Sequence, residues 1–409
     1  MRRGLPLTLR GTGAVVLALV CFIVANQLGL VELVWFGVLL LALVAGSIFA
    51  VLATHSRADI TRTAVPASPV AGTEIEVTVH VSVRGAAPAL GGRWRDDLPA
   101  GVEGTASGTF PAVASGLSRS DRAAVLAYRA IVHRRGIHWI GPLAVTSTDP
   151  FGIARRTVSL GKPTRLVVSP AIVDLPTLPG LIGHSGGAIA SPANRLGQGA
   201  DDVVARVYAP GDSMRRIHWR ASAHRDQLMV RQEEQETSPE ATIVFDRAAS
   251  RWSASAVTHA GADAAFERAV TLCASVLERL VQDGYAVDVI EPDGAPLCRR
   301  VEATDALALE DAMLVLATVT ARIDDRLPAL IDLFAGTTTG PLVLVTGRLG
   351  TADAAALTAV AHHSSYPVLL ATAPEADALA AAHGWASSHL GEDVAESWRA
   401  AGRSGHVPD

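Results

Sequence analysis

Two nearly uncharged apolar runs near the start, Gly13 to about Leu30 and Val34 to about Ala53, limit what this chain can fold into more than any other feature. Each is about long enough to cross a hydrocarbon core of roughly 30 Å, and only a few residues around Glu32 separate them. They read as a tight transmembrane helical hairpin within residues 1–56. A cleaved signal peptide is the alternative, but no small-residue cleavage site follows the first run and a second span follows at once. The hairpin also explains why 49 % hydrophobic and only 18 % charged residues make the chain more apolar than an ordinary soluble protein.

Arginine sets the expected orientation. Arg2, Arg3 and Arg10 precede the first run, Arg57 and Arg62 follow the second, and the connection carries none. The positive-inside bias then places both flanks, and everything after residue 54, in the cytoplasm. The expectation is a two-pass plasma-membrane protein with cytoplasmic N- and C-termini. Cys21 lies in the first run, and Cys273 and Cys298 are far apart without ligand-like spacing, so neither a disulfide framework nor a zinc site is signalled. A net charge of −5 argues against a nucleic-acid partner, which needs a clustered positive face.

Residues 57–172 alternate with period two. Ile75, Val77, Val79, Val81 and Val83 interleave with Glu74, Glu76, Thr78, His80 and Ser82, giving one apolar and one polar face. "VLAYRAIV", then "IHWIG" closed by Gly141-Pro142, then "LAVTS" closed by Asp149–Gly152, continue the theme. The expectation is an antiparallel β-sandwich. Residues 173–202 are rich in proline, glycine and serine without apolar period and read as a linker or strap. Within them Gly183-His184-Ser185-Gly186-Gly187 fits the G-x-S-x-G nucleophile elbow, but neither the preceding Pro176 and Pro179 nor the following "AIASPANRLG" supplies its strand and helix.

Residues 203–237 hold the densest polar chemistry. Val203, Ala205, Val207, Leu228 and Val230 bracket "YAPGDSMRRIHWRASAHRDQL", which reads as strand, turn, short helix, strand. Pro210-Gly211 makes the turn, Asp212 caps the helix, and Met214, Ile217 and Trp219 point to the core. Arg215, Arg216, Arg220 and Arg225 either meet the nearby Asp201, Asp202, Asp226, Glu233 and Glu234 in an interdomain clasp plugged by Trp219, or present their forks to a partner. His218 and His224 lack an accompanying nucleophile or metal pair. From 238 to 409 short apolar strands ("ATIVF", "YAVDVI", one near "LCRRVE", "PLVLVT", "PVLLAT") alternate with helices, one carrying the stripe Phe266, Val270, Cys273, Leu277, Leu280. That alternation indicates a C-terminal α/β domain on a mostly parallel sheet.

A membrane hairpin, a sandwich ending in "RRGIHWIGPLAVTSTDPFGIARR" and then "RVYAPGDSMRRIHWRASAHRDQLMVRQEE" resemble the bacterial family with the domain of unknown function 58 (DUF58). The resemblance implies a von Willebrand factor A-like last domain and, as partners, a MoxR-type AAA+ ATPase and a transglutaminase-like membrane protein. It implies no established reaction. Such a domain usually holds Mg²⁺ through D-x-S-x-S, with oxygen donors from two further loops. Here Asp246 and Ser250 remain, but Ala248 replaces the middle serine and Arg348 follows the later strand, so the expected metal site is degenerate and no cofactor is expected; Thr337 to Thr339 are the candidate source of a further hydroxyl. The expected function is a membrane-anchored cytoplasmic scaffold or adaptor; the alternative is a hydrolase using Ser185 or the His218/His224 region.

Overall fold

The computed structural model describes residues 6–409 except 54–56, 85–90, 111–122, 181–202, 208–216, 218, 226, 234–238 and 406–409. Contacts divide the chain into two compact units: residues 1–172 with Trp252–Ala274 and Met313–Ile323, and Val173–Arg251 with Ser275–Ala312 and Asp324–Asp409.

The first unit begins with helices α1 (Leu9–Leu28) and α2 (Val31–Ala53), both long and apolar enough to cross a membrane. Gly29 closes α1 with a φ of 66°, a conformation that costs glycine little and lets the chain reverse in a short turn. The pair approaches through small residues: Ala18 is fully buried, and a Cβ on Gly37 would come 2.9 Å from the Phe22 ring. Close backbone approach of this kind supplies the packing that the hydrophobic effect cannot supply in lipid. α1 starts before the apolar run does, because the Thr8 side chain accepts from Gly11 N and caps it despite Arg10 in the first turn.

Strands β1 (Arg57–Val65), β2 (Glu74–Arg84), β3 (Gly92–Asp96), β4 (Val102–Gly104), β5 (Ser107–Phe110), β6 (Ala123–Val132), β7 (Gly136–Ile140), β8 (Leu143–Thr148), β9 (Arg155–Leu160) and β10 (Thr164–Val168) follow. They form antiparallel sheets β1-β2-β6-β4 and β5-β3-β8-β9, with β10 paired to β7. Alternation places Ile75, Val77, Val79 and Val81 of β2 in one core with Leu126, Tyr128, Trp94 and Val145. Inside it Arg62 makes two bonds to Asp96, at 3.0 and 2.8 Å, and the Tyr128 hydroxyl donates to the same carboxylate at 3.0 Å. Burial beside that carboxylate pushes the Tyr128 phenol above its ordinary value.

Arg135, between β6 and β7, gathers the later segments of this unit. Its side chain is only 1 % exposed. It donates to Glu267 Oε2 at 2.9 Å, to Leu316 O at 3.2 Å and to Val319 O at 3.2 and 2.7 Å, and its guanidinium lies over the Phe266 ring. Leu316 lies in the last turn of helix α6 (Ala306–Thr318), so the cation meets helix-end carbonyls. The sequence groups Trp252–Ala274 and Met313–Ile323 with residues 238–409; in the structure they cluster with the sandwich.

The second unit carries a parallel sheet in the order β14-β13-β15-β16-β17, from β13 (Glu240–Phe245), β14 (Ala286–Ile290), β15 (Leu342–Leu349), β16 (Pro367–Pro374) and β17 (Ala386–His389). β15 is buried at nearly every position, as a parallel strand covered on both faces must be. The expected stripe is buried on helix α5 (Ala264–Gln282), after the short α4 (Ser255–Thr258). Helices α7 (Ala329–Phe334), α8 (Thr351–Ala361), α9 (Ala378–Ala381) and α10 (Val394–Ser404) complete the helices described after β14. The strand expected near "LCRRVE" is instead two isolated bridges, Ile290 to Pro296 and Val287 to Val301. Pro296 has no amide hydrogen to extend a ladder.

Residues 173–178 run as a strap against this unit. Leu175 and Leu178 are 1 % and 3 % exposed, and the Trp398 indole donates to Pro176 O at 2.9 Å. A side chain at Gly402 would collide with Leu178, 2.7 Å away. Burying each leucine stabilises by about 1.5–3 kcal/mol, which holds a segment without regular structure in place.

Two outcomes are expected in chemical denaturation of the detergent-solubilised chain followed by tryptophan fluorescence. Arg135→Ala leaves Glu267 without its cation, removes a donor from two carbonyls and lowers stability by about 3 kcal/mol, while Arg135→Lys, which cannot span all three acceptors, recovers only part. Asp263 caps α5 by accepting from Phe266 N at 2.6 Å. Burial opposes its ionisation, but the Ser253 hydroxyl and the Phe266 amide pull its carboxyl below the ordinary value. A depressed acid contributes stability above its unfolded value of about 3.9 and loses it as pH falls further. Asp263→Ala therefore costs about 1 kcal/mol near neutrality, and the difference from the parent shrinks below about pH 4.

Candidate functional site

In parallel α/β sheets ligands meet the C-terminal strand ends, and here that edge is filled by ion pairs. Asp246 follows β13 directly and is 1 % exposed. Its Oδ1 accepts from Ala248 N at 3.0 Å, an Asx turn, and its Oδ2 accepts from the Thr346 hydroxyl of β15 at 2.7 Å. The turn brings the guanidinium of Arg251, from the 3₁₀ turn Ala249–Arg251, over the same carboxylate, with Nε 3.0 Å from Oδ2. Arg251 Nη1 reaches Asp353 at 2.8 Å and Arg348 O at 3.2 Å, and Nη2 reaches Asp325 at 3.1 Å.

Burial acts against the Arg251 charge, but Asp353, Asp246 and Asp325 outweigh it and hold the guanidinium above its ordinary value. Burial also pushes the Asp246 carboxyl up, against the Ala248 amide, the Thr346 hydroxyl and Arg251, all of which favour the carboxylate. Asp325 and Asp353 are each 40 % exposed, so one buried acid and two rim acids share one internal cation. Beside them Arg247 pairs with Glu291, just past β14, and Arg326 pairs with Asp293.

This arrangement corrects the metal expectation in its details. The opposing cation is Arg251, while Arg348 contributes its carbonyl and points its side chain to solvent. The hydroxyl on Asp246 comes from Thr346, whereas Thr337 bonds to Phe334 O. Ser250 reaches only Asp325, at 3.4 Å. Among the described residues no group of three or more His, Cys, Asp or Glu is disposed to hold a metal ion. The donor set does not fit a divalent cation, which would stand where the guanidinium stands. Arg251 was the residue missed in the sequence: its signal is an arginine five positions after a strand-end aspartate, with an otherwise apolar strand before it.

The segment richest in candidates has strand β11 (Val203–Val207), helix α3 (Trp219–Arg225) and strand β12 (Met229–Glu233), with β11 and β12 antiparallel. The order strand, helix, strand is the one expected, but α3 begins at Trp219, seven residues after Asp212, which the sequence reads as the cap of its helix. Ser222 Oγ accepts from Met229 N at 2.8 Å and ties helix to strand. Ile217 and Met229 are buried at 7 % and 2 % exposure. Trp219 is not the apolar plug expected of it: it is 70 % exposed, with Leu228 46 % exposed in the same segment. The reason is local geometry. Ile217 forms a bridge and Trp219 opens a helix, so the two do not share one helix face. His224 is exposed. Ser185, Asp212, Met214, Arg215, Arg216 and His218 lie outside the described residues, as do the side chains of Arg220 and Arg225.

A double-mutant cycle checks the edge cluster. Arg251→Ala leaves Asp246 buried without its cation and costs about 3 kcal/mol, whereas Arg251→Ala with Asp246→Asn costs less than the two changes summed. Calorimetric titration of the parent chain with millimolar Mg²⁺ is expected to give no binding heat, because the Arg251 guanidinium occupies the place beside Asp246 that an ion would need.

The family model described as "Protein of unknown function DUF58" matches residues 204–296, from β11 through β14, and supports the family that the signature resembles. No curated protein matches the chain.

Proposed function

We propose, taking as premise the family whose model matches residues 204–296, that this chain is a membrane-anchored cytoplasmic adaptor. Its α/β unit, read as von Willebrand factor A-like, serves as a docking module for a MoxR-type AAA+ ATPase during assembly or remodelling of a membrane or envelope complex, with a transglutaminase-like membrane protein as a second partner. The observation that carries this reading is Trp219, 70 % exposed inside the family-matched segment. Exposed tryptophans are the residues that anchor protein interfaces once water is excluded, and Leu228, 46 % exposed, adds an apolar side chain in the same segment. The sheet edge supports recognition over catalysis in another way: among the described residues its buried acids Asp246 and Glu291 are paired with Arg251 and Arg247. The two apolar helices are long enough to serve as the anchor, and the arginine flanks favour the cytoplasmic side.

Co-purification of the full detergent-extracted chain with the ATPase is the test. Capture is expected with the parent, and Trp219→Ala weakens it by about 2 kcal/mol, roughly thirtyfold, without lowering the stability of the chain. Absence of capture in both the presence and the absence of nucleotide would refute the ATPase as partner.

A further inference from the structure

The turn between β8 and β9 touches both ends of the helical hairpin that return to the sandwich. Thr8 N donates to Ile153 O at 2.9 Å, and its hydroxyl donates to Gly152 O at 2.5 Å. Arg155 N donates to Pro6 O at 2.7 Å, completing a bridge between Leu7 and Ala154. A Cβ at Gly11 would fall 2.3 Å from Ile153 O, so only glycine lets α1 come this near. At the end of α2, Arg156 Nη1 reaches Leu52 O at 3.4 Å.

The turn is also rigid from within. Asp149 is 4 % exposed; its carboxylate accepts from Phe151 N at 3.0 Å and Ala154 N at 2.6 Å, and its own amide and carbonyl meet Ala154 O and Gly152 N. Burial works against its charge, but these amides hold the carboxyl below the usual range. This order holds Phe151 outward, 61 % exposed; its neighbour Gly152 is bonded to Thr8, which precedes Leu9 of α1, 91 % exposed. Arg10 and Arg155 are exposed around them, and Arg10 Nη1 lies 3.3 Å from where a Cβ of Gly152 would stand. The turn's carboxylate faces inward, so its outer surface presents apolar side chains and guanidinium groups.

We infer that the β8–β9 turn is a lipid-contact foot, with Phe151 entering the interface between headgroups and acyl chains while Arg10 and Arg155 pair with anionic headgroups. Three observations favour lipid over a protein partner. The turn is continuous with the two apolar helices, its exposed pair of Phe151 and Leu9 sits where those helices leave the sandwich, and its cations have the sign that an anionic leaflet attracts. An aromatic at the headgroup level with arginines beside it matches the boundary on both sides. The foot would set the tilt of the sandwich at the membrane, which a flexible linker could not. This inference rests on the hairpin being membrane-inserted.

The test separates the two readings. The full chain, with Cys298→Ser, carries a nitroxide at Phe151→Cys or, as control, at Leu39→Cys in the middle of α2, and is reconstituted into vesicles of phosphatidylcholine with phosphatidylglycerol. Power saturation compares collisions with oxygen, which partitions into lipid, and with a nickel chelate, which stays in water. The inference expects both labels to favour oxygen severalfold, that at 151 at shallower depth. Adding Arg10→Gln and Arg155→Gln, or omitting the anionic lipid, shifts the 151 label toward nickel and leaves that at 39 unmoved. If the 39 label reads lipid and the 151 label reads water, the foot is wrong and the anchor stands. If both read water, the anchor fails and the foot with it; a 151 label indifferent to both arginines and lipid charge removes the headgroup pairing.

Discussion

A guanidinium taken out of water must find acceptors for its donors, and Arg135 finds them in Glu267 and the carbonyls of Leu316 and Val319. Those acceptors come from two segments far along the chain from Arg135, so the requirement acts as a positional constraint on the first unit. Phe266 beneath it, itself edge-on to Trp252 at 5.0 Å, adds the apolar wall that keeps solvent away. Glu267 is part of the same balance: burial pushes its carboxyl up, and Arg135 and the Gly261 amide work to keep it ionised.

The second unit repeats the device at its sheet edge. Asp246 stands at the strand end where a parallel sheet exposes its ligand-binding rim, and the chain answers it with Arg251. An internal cation does for the carboxylates what a bound ion would do, but it cannot leave. That edge is held by internal ion pairs, and the exposed Trp219 lies in another part of the chain. The adaptor reading joins these two facts with the apolar helices at the front.

Much of the fold was legible because it is local. The β2 alternation, the α5 stripe and the strand-helix-strand reading of residues 203–233 all depend on periodicity within one element, and each element is found. Two late elements were missed: α10 is amphipathic, but its buried face is mostly small residues around Trp398 and so reads weakly as apolar, and β17 is short and flanked by loops. The strap was legible only as proline-rich chain; its leucines are buried because Trp398 and Gly402, far along the sequence, make a place for them. At the site Asp246 was singled out through the resemblance, as the first residue of D-x-S-x-S, whereas Trp219 was misplaced because Ile217 forms a bridge and Trp219 opens a helix.

The sequence by itself determined the classes of element and their order: apolar hairpin, alternating strands, then strands with helices. Burial patterns of period two and 3.6 are written within a few residues and survive any arrangement of the whole. Tertiary structure alone decided which charges meet. Arg135 and Glu267 are 132 residues apart and Asp246 and Thr346 are 100 apart. In a chain where arginine supplies nearly all the positive charge, nothing local distinguishes the guanidinium that a carboxylate will bury from one that stays in water. That choice follows from where the packed elements leave a desolvated acceptor, since an unpaired buried charge costs more than any local preference can offset.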